Sequence, residues 1–189
     1  MKKFIATIIL VFMASIPAFA ADPVTLRDNK NGVTVDLYPG AGDNYLFYGN
    51  NFVGYNVQFP HNYFTEVIHL PENGTGMILG SKDGARFSVT GGFVMDEEND
   101  DMKLRDSYEK ALAAIGGENN ASYYEFGHDR WEIWWREGDT SHRRKFVIKR
   151  GRGVWSDLEI SEPFVEEGVV NPFATLLDYS FESLEFAEG

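Results

Sequence analysis

The sequence predicts an α+β fold in which helices pack on an antiparallel β-sheet. Its strand-like and helix-like segments follow the order strands, helix, four strands, helix, and such segregation is typical of α+β domains. The turns between the strand-like segments are short, which favours antiparallel pairing. The chain has 189 residues, of which 43% are hydrophobic, and this size and composition are typical of one globular domain. We therefore expect a single domain at residues 52–189.

Two kinds of pattern predict the strands. Residues 53–59 alternate apolar with small or polar side chains, which is the period of a half-buried strand. Met77-Ile78-Leu79 and Phe87-Ser88-Val89 flank Asp83-Gly84, a dipeptide that favours a hairpin because glycine tolerates positive φ. We expect these two segments to pair antiparallel. Four later segments should form an antiparallel meander: residues 122–126, 131–136, 144–149 and 154–161.

Two segments carry helical periodicity instead. Over residues 104–115 the apolar side chains fall on one stripe at helical spacing. An aspartate of the pair Asp100-Asp101 is the expected N-cap, and Gly116-Gly117 should end the helix. A second helix is predicted near the C-terminus, with Asn171 as its cap and Pro172 at its first position.

The N-terminus has the pattern of a secretory signal peptide. Two lysines precede an apolar stretch at residues 4–17, and Ala18-Phe19-Ala20 supplies a cleavage site of small residues. We expect a signal peptide at residues 1–20 and a periplasmic or secreted protein. Residues 21–51, rich in Gly, Asn and Asp, predict a loosely organised arm with one or two strands. The chain has no cysteine, so disulfides and thiolate chemistry are excluded.

The charge of the chain limits its partners. The formal net charge is −12, and loss of the signal peptide would remove two lysines and no acid. A surface this acidic repels phosphates and anionic lipid, so we expect no nucleic-acid partner. No later segment approaches the roughly 20 apolar residues of a membrane span, so we expect no membrane insertion after signal cleavage.

Several short stretches of the sequence each match a motif that is typical of a known family. They are a strand ending in Phe-Pro and followed by Phe (residues 53–64), a Ser-x-Asp-Gly hairpin (79–89), a strand ending in a glycine turn (131–138), and a closing Ser180-Phe181. Over about residues 45–183 the chain resembles the PsbP-like fold family, found in an extrinsic photosystem II subunit, a eukaryotic Ran-binding import factor and many exported bacterial proteins. The resemblance implies an α/β/α sandwich that acts by docking on other proteins, and it implies no catalytic residue.

Two tryptophans are the candidate aromatic contact residues. Trp134 and Trp155 both stand on strand faces that are otherwise charged. An exposed tryptophan is typical of a binding hot spot and can stack on sugars. The alternative is that a helix or the N-terminal arm covers both side chains, because large aromatic residues are usually mostly buried.

One basic stretch stands out on the acidic chain. Arg143, Arg144 and Arg150 are the candidate residues for an anion or an acidic partner, because arginine forks bind carboxylates and phosphates. The alternative is that these side chains pair with acids on neighbouring strands.

The chain shows no recognised motif for metal or cofactor chemistry. The acidic run at residues 96–101 lacks the order of a calcium loop, and the four histidines show no ligand spacing. Neither a Gly-x-Ser-x-Gly elbow nor a phosphate-binding loop is present. We expect no bound metal and no cofactor.

The leading hypothesis is therefore an exported, non-enzymatic accessory protein that docks on another exported or envelope protein. One alternative is a periplasmic protein that binds a small molecule or glycan through an aromatic platform. A less favoured alternative is a hydrolase with an unrecognised pair of carboxylates.

Overall fold

The computed structural model describes residues 22–95, 99–166, 169 and 171–187. The predicted signal peptide at residues 1–20 lies outside the described residues, as do residues 96–98 of the acidic run and the last two residues of the tail. No helix in the described part of the chain is long and apolar enough to cross a membrane.

Two helices and twelve strands are formed by the described residues. The helices are α1 (Asp100–Ala114) and α2 (Ala174–Glu182). The strands are β1 (Val24–Arg27), β2 (Thr34–Pro39), β3 (Tyr45–Asn50), β4 (Tyr55–Pro60), β5 (Glu66–His69), β6 (Gly76–Gly80), β7 (Arg86–Phe93), β8 (Ala121–Phe126), β9 (Arg130–Glu137), β10 (Thr140–Lys149), β11 (Val154–Pro163) and β12 (Glu185–Phe186).

The strands make two antiparallel sheets. The large sheet has the order β5-β6-β7-β11-β10-β9-β8, and the small sheet has the order β1-β2-β3-β4-β12. The predicted hairpin is confirmed, because Met77 pairs with Val89 and Leu79 with Phe87. The predicted meander is confirmed too, since β8 to β11 pair antiparallel in chain order. The α+β class that the sequence predicts is therefore confirmed.

The two faces of the large sheet bury separate hydrophobic clusters. Register places Trp134, Arg143, Ile160 and Phe87 in one row across four strands. This inner face packs against the small sheet and α2. The opposite face, which we call the helix face, carries residues such as Trp131 and packs against α1. Side chains two residues apart along a strand share a face, so the register assigns each strand residue to one layer.

Both helices lie where the sequence places them, with shifted starts. Asn99 caps α1, and its side chain accepts a hydrogen bond from the backbone N–H of Met102 at 2.9 Å, so the prediction of Asp100 or Asp101 was off by one or two residues. Gly117 follows the helix with φ of 101° and donates its N–H to the carbonyl of Leu112. α2 begins only at Ala174, because Asn171 closes a local turn by accepting from the N–H of Phe173 at 2.9 Å.

The predicted arm at residues 21–51 is more ordered than its composition indicates. It contains three strands, β1 to β3, rather than one or two. They pair in sequence order and join β4 in the small sheet. Leu37, Leu46 and Tyr48 of these strands are buried in the cluster between the two sheets, so this segment supplies part of the core.

Candidate docking edge and the Trp134 cleft

Strand β8 forms one edge of the large sheet and exposes aromatic side chains. Tyr123, Tyr124 and Phe126 keep 41%, 46% and 42% of their surface accessible. An edge strand also presents unpaired backbone groups, and soluble proteins commonly protect such edges with charged side chains. β8 carries a single charged residue, Glu125. The edge is therefore both apolar and open to strand pairing.

The aromatic side chains of β8 are held on both faces of the sheet. Tyr123 lies opposite Trp134 on the inner face, with 5.1 Å between the ring centroids. Phe126 lies on the helix face, where its ring is 5.0 Å from that of Tyr108 in α1. These contacts fix the ring positions while leaving much of each ring in solvent, which suits a preformed contact surface.

A cleft of about 400 Å³ opens beside Trp134 on the inner face. Trp134 is 36% exposed, and its ring meets the ring of Phe181 in α2 edge-on at 6.3 Å. Phe164, also 36% exposed, lines the cleft and has the guanidinium of Arg136 3.5 Å from its ring centroid. We call this space the Trp134 cleft. Its aromatic walls with a few charged groups are typical of a small-molecule site.

Arg143 spans the Trp134 cleft and is already paired. Its guanidinium donates to Glu162 of β11 at 3.1 Å and also to Asp178 of α2. The Arg143 side chain is only 11% exposed. Its guanidinium therefore forms ion pairs that join β10, β11 and α2. This is the alternative considered for the basic stretch, in which the arginines pair with acids of the same chain.

Trp155 lies on the helix face, away from Trp134. Its ring stacks on Phe146 at 5.5 Å, and its indole N–H donates to the carbonyl of Phe93 at 3.1 Å. The ammonium of Lys103 in α1 lies 5.1 Å from the ring centroid. Because the two tryptophans occupy opposite faces of the sheet, they cannot line one pocket or form one continuous platform.

The three predicted arginines also occupy separate places. Arg144 makes a two-pronged contact with Asp157, at 2.9 and 2.6 Å, on the helix face. The hydrogen bond to Asp157 raises the pKa of the Arg144 guanidinium above its usual range, although burial opposes it. Arg150 follows β10 and donates to the carbonyl of His128 and to Asp101. Arg143, Arg144 and Arg150 therefore do not converge on one anion.

Two carboxylates elsewhere have a lowered pKa with structural causes. The backbone N–H groups of Leu70 and Lys30 donate to Asp28 and lower the pKa of its carboxyl, and His69 adds a weaker contact. Burial raises the pKa of Asp83, but hydrogen bonds from Ser81 and Tyr63 outweigh it and the net shift is downward. Within the described ranges, no three His, Asp or Glu side chains are grouped so that they could hold a metal ion.

The sequence did not predict that β8 exposes its aromatic side chains at an edge of the sheet, although part of the signal was present. The strand at residues 122–126 was predicted, and the three aromatic residues among its five are visible in the sequence. Its edge position depends on the sheet order, in which β7 pairs with β11 rather than with β8. The pairing of strands that are distant in the chain cannot be predicted from the local sequence pattern.

Comparisons with known proteins address the fold. No protein-family model matches the chain, and no curated protein matches it. A solved structure of cyanobacterial PsbP (CyanoP) from Synechocystis sp. PCC 6803 superimposes with a TM-score of 0.53 and covers 79% of this chain and 98% of its own. The chain has a PsbP-like fold. Sequence identity in this comparison is 13%, so the likeness extends to the fold and not to a shared activity.

Proposed function

We propose that the chain is an exported, non-enzymatic accessory protein that docks on another protein through the β8 edge. The docking surface consists of Tyr123, Tyr124 and Phe126 together with Trp134. The observation that carries the proposal is the exposure of three aromatic rings on an edge strand with one charged residue. Edge strands of this kind accept an extended segment from a partner, whose backbone continues the sheet.

The side chains of the docking surface fit this mode of recognition. In strand addition the backbone supplies affinity, and side chains on alternating faces supply specificity. Tyr123 and Tyr124 point to opposite faces of the sheet, so an added strand would meet aromatic contacts on both sides. Tyrosine and tryptophan are also enriched among residues that dominate binding energy.

Export and the lack of catalysis rest on separate observations. The N-terminal pattern of residues 1–20 supports export to the periplasm or beyond. Two acids, Glu162 and Asp178, meet in the Trp134 cleft, as a hydrolase would require. Both are bound to the same guanidinium of Arg143, an arrangement that suits a structural bridge better than an acid/base pair.

A capture experiment tests the docking surface. The mature protein is immobilised and exposed to envelope extract from its source cells at about 0.1 M salt, where surface charge is partly screened. We expect one reproducible partner, and we expect Tyr124→Lys to remove it because a charge would be placed in a desolvated contact. Tyr38→Lys is the matched control, since Tyr38 is a 50% exposed tyrosine on the small sheet.

Equal retention of the partner by Tyr124→Lys and by the wild type would contradict docking at β8. Equal loss in both tyrosine variants would contradict it as well, because the effect would then follow total charge rather than position.

A second candidate function is favoured by the Trp134 cleft itself. Its volume of about 400 Å³ and its Trp134 and Phe164 walls suit a neutral sugar or another small molecule. Titration calorimetry with cellohexaose and maltohexaose tests this function. If Trp134→Ala abolishes sugar binding and Trp155→Ala does not, the small-molecule function is favoured over docking. If neither variant changes sugar binding, the Trp134 cleft is not the binding site.

A further inference from the structure

A second cleft separates the two sheets at the opposite end of β10. It has a volume of about 560 Å³ and lies between the inner face of the large sheet and strand β12 of the small sheet. Sites for small ligands commonly have volumes of about 300–1,000 Å³. We call it the β12 cleft, and it is distinct from the docking surface and the Trp134 cleft.

Cationic side chains gather in the β12 cleft although the protein is strongly acidic. Four of the seventeen lysines and arginines line it: Arg130, Lys145, Lys149 and Arg150. Register places Arg130 directly opposite Val147, and Lys145 and Lys149 flank that valine along β10. Three of the cations therefore surround one apolar side chain on the inner face. His128 also lines the cleft.

The cations differ in how far they are neutralised. Lys145 is 2% exposed and lies 3.5 Å from Glu132 and 3.3 Å from Glu182, so its charge is balanced. Lys149 donates to the backbone carbonyl of Ala187, which orients the ammonium without cancelling its charge. Arg130 lies 3.8 Å from Glu132, beyond hydrogen-bond distance.

Arg150 has mixed partners, and the remaining lining is apolar or acidic. The Arg150 guanidinium donates to the carbonyl of His128 and to Asp101 at 2.8 Å. The apolar floor is formed by Val147, Leu184 and Phe186. Asp129, Glu182 and Glu185 are the acids of the lining, and Glu182 is engaged by Lys145. Of the lining cations, Arg130 and Lys149 are therefore the two with no carboxylate within hydrogen-bond distance in the described part of the chain.

We propose that the β12 cleft binds an organic anion with a carboxylate head and an apolar body. The carboxylate lies between Arg130 and Lys149, which can donate charge-assisted hydrogen bonds because no carboxylate in the described part of the chain lies within hydrogen-bond distance of either side chain. The apolar body covers Val147, Leu184 and Phe186. The charges of Arg130 and Lys149 also favour anions over cations of the same shape.

Calorimetric titration of the full mature protein with octanoate tests the proposal. Octanoate carries both the carboxylate and the apolar body, whereas acetate lacks the body and octylamine reverses the charge. We expect octanoate to bind and the other two compounds to bind at least about tenfold more weakly. Arg130→Gln and Lys149→Gln should each weaken octanoate binding about tenfold, because each removes one hydrogen bond to a charged group.

Lys30→Gln is the matched control, since it removes the same charge from an exposed position on a turn of the small-sheet segment. Absence of octanoate binding would overturn the proposal. An equal affinity for acetate, or an equal loss in Lys30→Gln, would overturn it too, because either result would show attraction to overall charge alone. Tyr124→Lys should leave octanoate binding unchanged, so failure of the docking proposal and failure of this one are distinguishable.

Discussion

At the scale of single residues, Lys145 is the most deeply buried charge among the described side chains of the large sheet. Its ammonium lies between Glu132, Glu182 and the carbonyl of Phe181, and 5.4 Å from the Phe181 ring. Desolvating a charge is costly, and such a group is stable only while its partners remain. Lys145 therefore connects β9, β10 and the end of α2 through charge.

We expect Lys145→Ala to lower the free energy of unfolding by about 3–5 kcal/mol, because it leaves the buried Glu132 with the more distant and more exposed Arg130 in place of Lys145. Urea denaturation of the two proteins measures the difference. The double variant Lys145→Met, Glu132→Leu is the control, since removal of both charges should restore much of the loss. A double variant as unstable as the single one would show that packing, and not charge, is what Lys145 supplies.

The Asp28 carboxylate predicts how stability depends on pH. Its pKa is lowered from 3.8 by backbone N–H donors, so its contribution to stability is complete above that value and is lost as the pH falls through the lower, folded pKa. We expect wild type to exceed Asp28→Asn in stability at pH 6 and the gap to narrow below about pH 4. Urea denaturation at a series of pH values gives this gap, and a gap that is constant with pH would refute the role of the carboxylate charge.

The candidate residues show what the sequence can and cannot specify at this scale. The sequence left open whether the arginines pair with acids or bind a partner, and in the structure Arg143 and Arg144 pair with acids. It could not show that Trp134 and Trp155 face opposite layers. Alternation along a strand shows which of its side chains share a face. The register between β9, β10 and β11 decides which of those faces lie on the same side of the sheet.

At the scale of elements, the local signals were the most informative. α1 was predicted because its apolar stripe and terminal glycines lie within one segment. The start of α2 was placed too early because Asn171 uses its side chain to close a turn before the helix begins. One or two strands were predicted where β1 to β3 form, but their assembly with β4 into a separate sheet was not, because tertiary packing decides which strands pair.

The capping contact of α1 gives a prediction at this scale. We expect Asn99→Ala to destabilise the protein by about 1 kcal/mol, because the backbone N–H of Met102 loses its acceptor. Asn119→Ala, at an exposed position after the helix, should change stability by less than about 0.5 kcal/mol. Thermal unfolding compares the two variants, and equal effects would mean that the cap contributes nothing measurable.

At the scale of the whole molecule, the two sheets are in close contact at a glycine. A Cβ atom on Gly91 of β7 would lie 2.6 Å from the Tyr55 ring of the small sheet and 2.9 Å from the carbonyl of Trp155. Tyr55 is fully buried and donates its hydroxyl to the carbonyl of Thr75. The two sheets can therefore pack this closely only because glycine at position 91 has no side chain.

We expect Gly91→Ala to cost about 1–3 kcal/mol, because it overpacks the contact between the sheets. Gly127→Ala is the matched control, since its added Cβ would meet no atom closer than 3.4 Å. Urea denaturation measures both variants. Similar losses in the two would indicate a general effect of replacing glycine and not a contact between sheets.

Site-specific photo-cross-linking in the source cells tests whether the β8 edge docks on a partner protein. A photoreactive residue is placed at Tyr124 on β8 or, for comparison, at Tyr38 on the small sheet, two tyrosines of similar exposure. We expect one discrete protein adduct from position 124 and none of the same mass from position 38. An adduct from position 38 with none from position 124 would contradict docking at β8, as would identical adducts from both positions.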